Sequence, residues 1–330
     1  MQTFLSQHAD NRSLLARGAS MVRYNKRYVF WFYVLNAILA AAGTAAFRNQ
    51  AHAILDHSLY AAKLVRGFDL AVLAELLGMP DFGSTMAPAM PAIVSIVLFF
   101  LLSALFMPGV FQGFAATYRL PREDFFRACG RNLWRFVRLL IISGIVMLLV
   151  AGALFGVREG LVKALSESTN ELLPFEIRAT GLVITLLVMT TLRIWFDLAE
   201  ADIVLDDQRA VRKSIRKAFR NTFHSWGRLL GSYVVIAIVA GIIVVGGLWV
   251  WLRFVRPENV FGAFLVGQLT MLLLLVPRFW QRGVAVAYWQ REMLAPVVEI
   301  EPVSAAVVSP EAEPAIPPLT PVPPSPAPGI

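Results

Sequence analysis

The chain has 330 residues, of which 57% are hydrophobic and only 16% charged, with a mean hydropathy of +0.63. That excludes an ordinary soluble domain, where the charged share is nearer about 25%. A net charge of +8 would suit nucleic acid, but the cations sit between apolar runs, where anionic lipid headgroups would lie, so no nucleic-acid partner is expected. The single cysteine, Cys129, excludes an intrachain disulfide framework and a cysteine-based zinc cluster.

Residues 1–27 are mostly polar, carry Arg12, Arg17, Arg23, Lys26 and Arg27, and read as a cytoplasmic segment. No short apolar stretch with a cleavage site follows, so the first long apolar run is expected to be a retained anchor. A bilayer core of about 30 Å is crossed by roughly 20 apolar residues in a helix, because unpaired backbone amides are intolerable in hydrocarbon. By that measure the chain is an all-α integral membrane protein with about six transmembrane helices, near 28–47, 92–114, 139–157, 179–197, 229–252 and 259–279, within a membrane domain of residues 28–291. Pro88 and Pro91 set the start of the second span near Ala92. The fourth is the weakest: its uncharged part ends at Leu192, so it must continue through Arg193 with the guanidinium reaching toward the headgroups.

Direction follows from the cations. With the N-terminus inside, 22 of the 30 Lys and Arg residues fall on inner segments. Both ends are then expected to be cytoplasmic. Tyr28, Trp31, Trp249, Trp251 and Trp280 mark span edges. The outer loop from about Arg48 to Met90 has helical apolar spacing and is expected to cap the bundle. Past Arg291 there is no Lys or Arg, and residues 296–330 hold 11 of the 19 prolines together with Glu299, Glu301, Glu311 and Glu313. Residues 292–330 therefore read as a disordered, partly polyproline cytoplasmic tail, either passive or a ligand for a protein partner.

The most informative pattern is a repeat. Residues 108–115 (PGVFQGFA), 193–200 (RIWFDLAE) and 278–285 (RFWQRGVA) align without gaps at intervals of 85 residues. A basic amphipathic segment follows the first two copies: Arg122 through Arg131-Asn132 to Arg138, and Asp207 through Arg220-Asn221 to Arg228. Arg17 to Arg27 is a degraded third. The unit is an inner amphipathic helix, a span out, a loop and a span back, so the fold is three helical hairpins. Such a set either encloses a cavity or fills its own centre.

Arg193, Asp197 and Glu200 fall at i, i+4 and i+7 on one face of the fourth span. They read either as a gate, ion site or proton-coupled carboxylate, or as a structural ion pair; the pair is the reading we favour. Asp202 lies on the opposite face and is expected among headgroups, and Asp206 and Asp207 look like N-caps of the next helix. That helix carries Arg209, Arg212, Lys213, Arg216, Lys217 and Arg220, with Val211, Ile215, Ala218 and Phe219 between them. The spacing is that of an interfacial helix, and about 1 kcal/mol per basic residue favours an anionic surface. Anionic-lipid contact and simple topology control both require these charges. Gly109 with Gly113, and Gly152 with Gly156, predict close helix approach, and Gln268 within the sixth span predicts an interhelical hydrogen bond. His52, Asp56 and His57 lack a third ligand at metal spacing, no phosphate-binding or nucleophile motif occurs, and neither metal, cofactor nor catalytic residue is expected.

The stretch from Arg193 to Val204, the basic run Arg209 to Arg220 and the return into a span at Arg228 resemble poorly characterised bacterial multi-pass proteins. They are distantly similar to the membrane domain attached to some glycerophosphodiester phosphodiesterases. The similarity covers residues 193–252 and omits any phosphodiesterase domain, so it implies a membrane-embedded accessory module of a bacterial inner membrane and carries over no catalytic residue. The expected function is a non-enzymatic membrane module that organises lipids or partner proteins. The alternative is a transporter or channel for a small or amphipathic solute.

Overall fold

A computed structural model of the chain describes residues 13–55, 86–116, 118–164, 173–208, 210–256 and 259–293. Among them there are helices and no strand. The helices are α1 (Leu14–Tyr24), α2 (Lys26–Leu55), α3 (Met86–Ala115), α4 (Arg122–Ala164), α5 (Leu173–Leu205), α6 (Val211–His224), α7 (Trp226–Phe254) and α8 (Val260–Tyr288), closed by a π-helical turn at Trp289–Met293. Six of them, α2, α3, α4, α5, α7 and α8, are long and apolar enough to cross a membrane. The chain is thus a multi-pass membrane protein, with six such helices in three hairpins among the described residues. Most of the outer loop, with Asp56 and His57, and the tail from Leu294 onward lie outside the described residues.

The doubtful fourth span is a full one: α5 runs 33 residues, starting before and ending after the predicted 179–197. The second also starts earlier than Ala92. Proline within the first turn sacrifices an N–H that has no helical partner anyway, so Pro88 is accommodated, and Pro91 lies inside the helix as Pro108 does.

The hairpins are arranged cyclically. The returning helices α3, α5 and α8 touch one another pairwise and form the centre. Each outgoing helix sits between its own partner and the returning helix of the preceding hairpin: α4 between α5 and α3, α7 between α8 and α5, α2 between α3 and α8. The amphipathic segments obey the same rule, since α1 packs on α8 and α6 on α5, while the start of α4 packs on α3. The three segments also share a detail. Asn25, Asn132 and Asn221 each donate from Nδ2 to the carbonyl four residues earlier, at 3.2, 3.2 and 2.8 Å. After Asn25, and again at Ser225, the chain breaks before the span begins; α4 runs straight through.

The core lies at the end that bears α1, α6 and the connections between hairpins, here termed the basic end. The aligned octapeptides all reach it. Phe111, Ile194, Phe196, Leu198, Phe279 and Val284 are at most 1% exposed. Toward the hairpin tips the packing stops. Beyond Ile236 α7 has no buried residue, and before Leu275 α8 has none among those described. Leu148, Phe175, Leu252 and Val260 are each more than 70% exposed, as side chains solvated by acyl chains would be.

Close approaches follow the same division. A Cβ on Gly283 would lie 2.8 Å from the Gly18 carbonyl oxygen, so α1 and α8 meet backbone to backbone. Gly109 is pressed by Phe125 and Cys129, and Gly113 by Tyr28. Gly152 and Gly156, expected to mark packing, are exposed and have nothing within 4 Å. The Gln268 expectation holds: its Oε1 accepts from the Tyr33 hydroxyl at 3.0 Å, joining α8 to α2.

Candidate functional site

Two polar places stand out at the basic end, one inside the junction and one on its surface. The first contains Arg193, Asp197 and Glu200, which the helical spacing places on the face of α5 that turns inward. Asp197 is fully buried and Glu200 is 3% exposed. Arg193 Nε lies 3.0 Å from Asp197 Oδ1. The Tyr233 hydroxyl of α7 is 2.9 Å from Asp197 Oδ2 and 3.1 Å from the Gln281 carbonyl oxygen of α8, so one phenol ties two hairpins. A carboxylate in so dry a place needs such partners, since an isolated buried ion costs far more than its neutral form.

Arg282 belongs to this cluster although it was not among the expected residues. It is 8% exposed, its guanidinium carbon lies 6.0 Å from the Phe279 ring centroid, and its Nε has no hydrogen-bond partner among the described residues. Glu200 Oε2 is likewise without one. The signal for Arg282 was present in the repeat: Gln112, Asp197 and Arg282 occupy the same position of the three octapeptides. Tyr233 carried no local signal, because its role depends on where α7 lands.

A second buried acid corrects the expectation for Asp202. It is fully buried rather than among headgroups: Lys217 Nζ lies 2.7 Å from its Oδ1, and Trp289 Nε1 donates to the same oxygen at 3.2 Å. The reason is that α5 is covered on both sides, by its hairpin neighbours on one and by α6 and the π turn on the other. Asp206 and Asp207 do not cap α6, whose N-cap is Ala210 without a side-chain bond. Asp207 instead takes Arg135 at 2.6 Å from α4, with φ at 49°, and Asp206 takes Gln208 and Lys217. Burial opposes the charge on Lys217, but its hydrogen bond to Asp202 and the charges of Asp202 and Asp206 outweigh that and hold its pKa above the ordinary value.

The surface place is a groove of about 540 Å³ lined by Asp202, Gln208, Lys213, Arg216, Lys217, Phe219 and Arg220. Four of the six predicted lipid-contact cations line it. Arg212 is exposed on the same helix outside the groove, and Arg209 lies outside the described residues. The helix buries Ser214, Ala218 and Thr222 at i, i+4 and i+8, so small residues, rather than the larger apolar ones, face the protein. Ile215 is half-buried, with its carbonyl accepting from Trp195 Nε1 at 2.8 Å, and Phe219 remains 45% exposed beside the Trp195 ring. The result is an amphipathic helix seated on α5, holding its cations outward. Among the described residues Arg212, Lys213, Arg216 and Arg220 make no ion pair, in contrast to Lys217.

No group of three or more metal-ligating side chains occurs among the described residues. The chain matches no protein family profile, no curated protein and no solved structure. Function has to be read from these two places.

Proposed function

We propose that the chain is a non-enzymatic module of a bacterial inner membrane, with both ends cytoplasmic, that gathers anionic phospholipid at its basic end. The observation that carries this is the set of outward cations on α6, without ion-pair partners among the described residues, held in place by the packing of that helix on α5. Bulk attraction of about 1 kcal/mol per basic residue makes such a face a lipid contact. The excess of Lys and Arg on the segments at this end supports the orientation. Exposed Phe219, Phe223, Trp226 and Trp134 would sit at headgroup level. The distant resemblance of residues 193–252 to a membrane domain attached to some phosphodiesterases fits a membrane-embedded accessory module, and the Pro-rich tail would serve as a ligand for a protein partner.

The test is to purify the protein in mild detergent and measure the lipid that stays bound. Replacing Arg212, Lys213, Arg216 and Arg220 together by Gln should deplete anionic species while leaving zwitterionic lipid unchanged. Lys217 is spared because its loss would strand the buried Asp202. An unaltered lipid profile would overturn the proposal. The transporter reading rests on Arg193, Asp197 and Glu200, none of which lines the groove; flux of any solute into proteoliposomes, abolished by Glu200→Gln, would favour it instead.

A further inference from the structure

The α6 cations differ in what surrounds them, and the difference separates a diffuse basic face from a site. Lys213, Arg216 and Arg220 fall at i, i+3 and i+7, within about 60° of one another on the helix by its 3.6-residue period. All three line the groove, and all three lack a carboxylate partner among the described residues. The one acid within the groove wall, Asp202, is already engaged by Lys217 and Trp289. Three cations are thus converged on one space whose own anion is spent.

We infer that this groove binds a single phospholipid by its phosphate, with Lys213, Arg216 and Arg220 as the phosphate ligands and Phe219 against the apolar part next to the headgroup. The inference rests on the preceding reading, and narrows it from attraction to one stoichiometric site. Arg and Lys in this number match a phosphate's several acceptor oxygens, with Arg able to bond two at once. The source is a membrane lipid rather than free phosphate, because Phe219 in the groove wall, with Phe223 beside it, offers apolar surface next to the cations. Phe219 is 45% exposed and Phe223 55%, their rings 4.6 Å apart, and an inorganic ion would gain nothing from them. Burial of Ser214, Ala218 and Thr222 against α5 prevents the helix from sinking to cover the cations with its own stem atoms. A monoester headgroup, carrying about −1.5 to −2, should bind more tightly than a diester.

The full chain in nanodiscs of zwitterionic lipid is titrated with phosphatidic acid, and bound lipid per protein is counted by native mass spectrometry. Binding should saturate at one, should be weaker for phosphatidylglycerol, and should fall at least tenfold in Lys213→Gln/Arg216→Gln/Arg220→Gln. The charge-matched control Arg122→Gln/Arg127→Gln/Arg138→Gln, on exposed positions of α4, should change it less than twofold. Millimolar inorganic phosphate should not compete. Non-saturating binding that both triple variants weaken equally would overturn the site while leaving the preceding reading intact; competition by free phosphate would overturn the lipid source. Wild-type protein that shows no preference for anionic over zwitterionic lipid would overturn both. All six positions are solvent-facing, so unchanged helicity and melting temperature confirm that each variant is folded.

Discussion

The basic half of the bundle and the half toward the hairpin tips are built from the same six helices but differ in nearly everything else. At the basic end three returning helices meet, their aromatic and branched side chains are sealed, and Asp197, Glu200, Asp202, Tyr233 and Arg282, from three helices, are held inside. Toward the tips each hairpin keeps mainly its own company. The comparison teaches that in lipid, apolarity alone does not bring helices together. Acyl chains solvate Leu148 or Leu252 as well as another helix would, and association comes from close backbone approach and polar ties. Those are concentrated where Gly18 meets Gly283 and where Tyr233 meets Asp197.

The contrast can be broken most directly by removing a charge at its centre. Asp197→Ala leaves Arg193 and Tyr233 without their shared acceptor and should cost about 3–5 kcal/mol, as breaking a buried pair does. Leu148→Ala in the tip half should stay within about 0.5 kcal/mol. Thermal unfolding in detergent compares them, and equal effects would show that the junction is no more cohesive than the tips. A pair of glycines sharpens the point, because the same change should act with opposite signs. Gly283→Ala places a methyl against the α1 backbone and should destabilise by about 1–3 kcal/mol while speeding tryptic cleavage within α1. Gly152→Ala meets open space and should gain up to about 1 kcal/mol of helix propensity. Identical signs would remove the distinction.

The smallest effect concerns the seat of α6. Because Lys217 holds its proton more tightly in the folded protein, its contribution is complete below the unfolded value of about 10.4. It is lost as pH rises through the higher folded value. Trp195 fluorescence, reporting the bond to Ile215, should therefore be flat up to that range and then change, and the change should vanish in Lys217→Gln. A transition at lower pH, or one that persists in the variant, would mean that the pair does not hold the helix.

Much of this architecture was legible in the sequence. Apolar runs gave the six helices because hydrocarbon admits few alternatives, and the 85-residue interval gave the hairpin unit and, through Gln112, Asp197 and Arg282, a hint of the polar centre. Arg193 with Asp197 was readable because i and i+4 are neighbours on any helix. What the sequence hid depends on contacts between distant segments. Asp202 was assigned to headgroups from its position on α5, but its burial depends on Trp289, 87 residues away, and on α6 folding back over it. Asp206 and Asp207 had the chemistry of caps, yet side chains engage them instead, Lys217 for Asp206 and Arg135 for Asp207. Gly152 and Gly156 had the spacing of a packing motif and no neighbour to use it.

The cyclic arrangement has a consequence for synthesis. Each basic segment docks on the returning helix that the ribosome made just before it, except α1, which docks instead on α8, far along the chain. The two later joints can form as translation proceeds, whereas α1 waits, its binding face unclaimed, until the Trp280 indole reaches the Leu15 carbonyl and the Arg17 guanidinium reaches Gln290. The contact that closes the ring thus reports that α8 has been inserted. A chain truncated before α8 would expose α1 as the mark of an unfinished product.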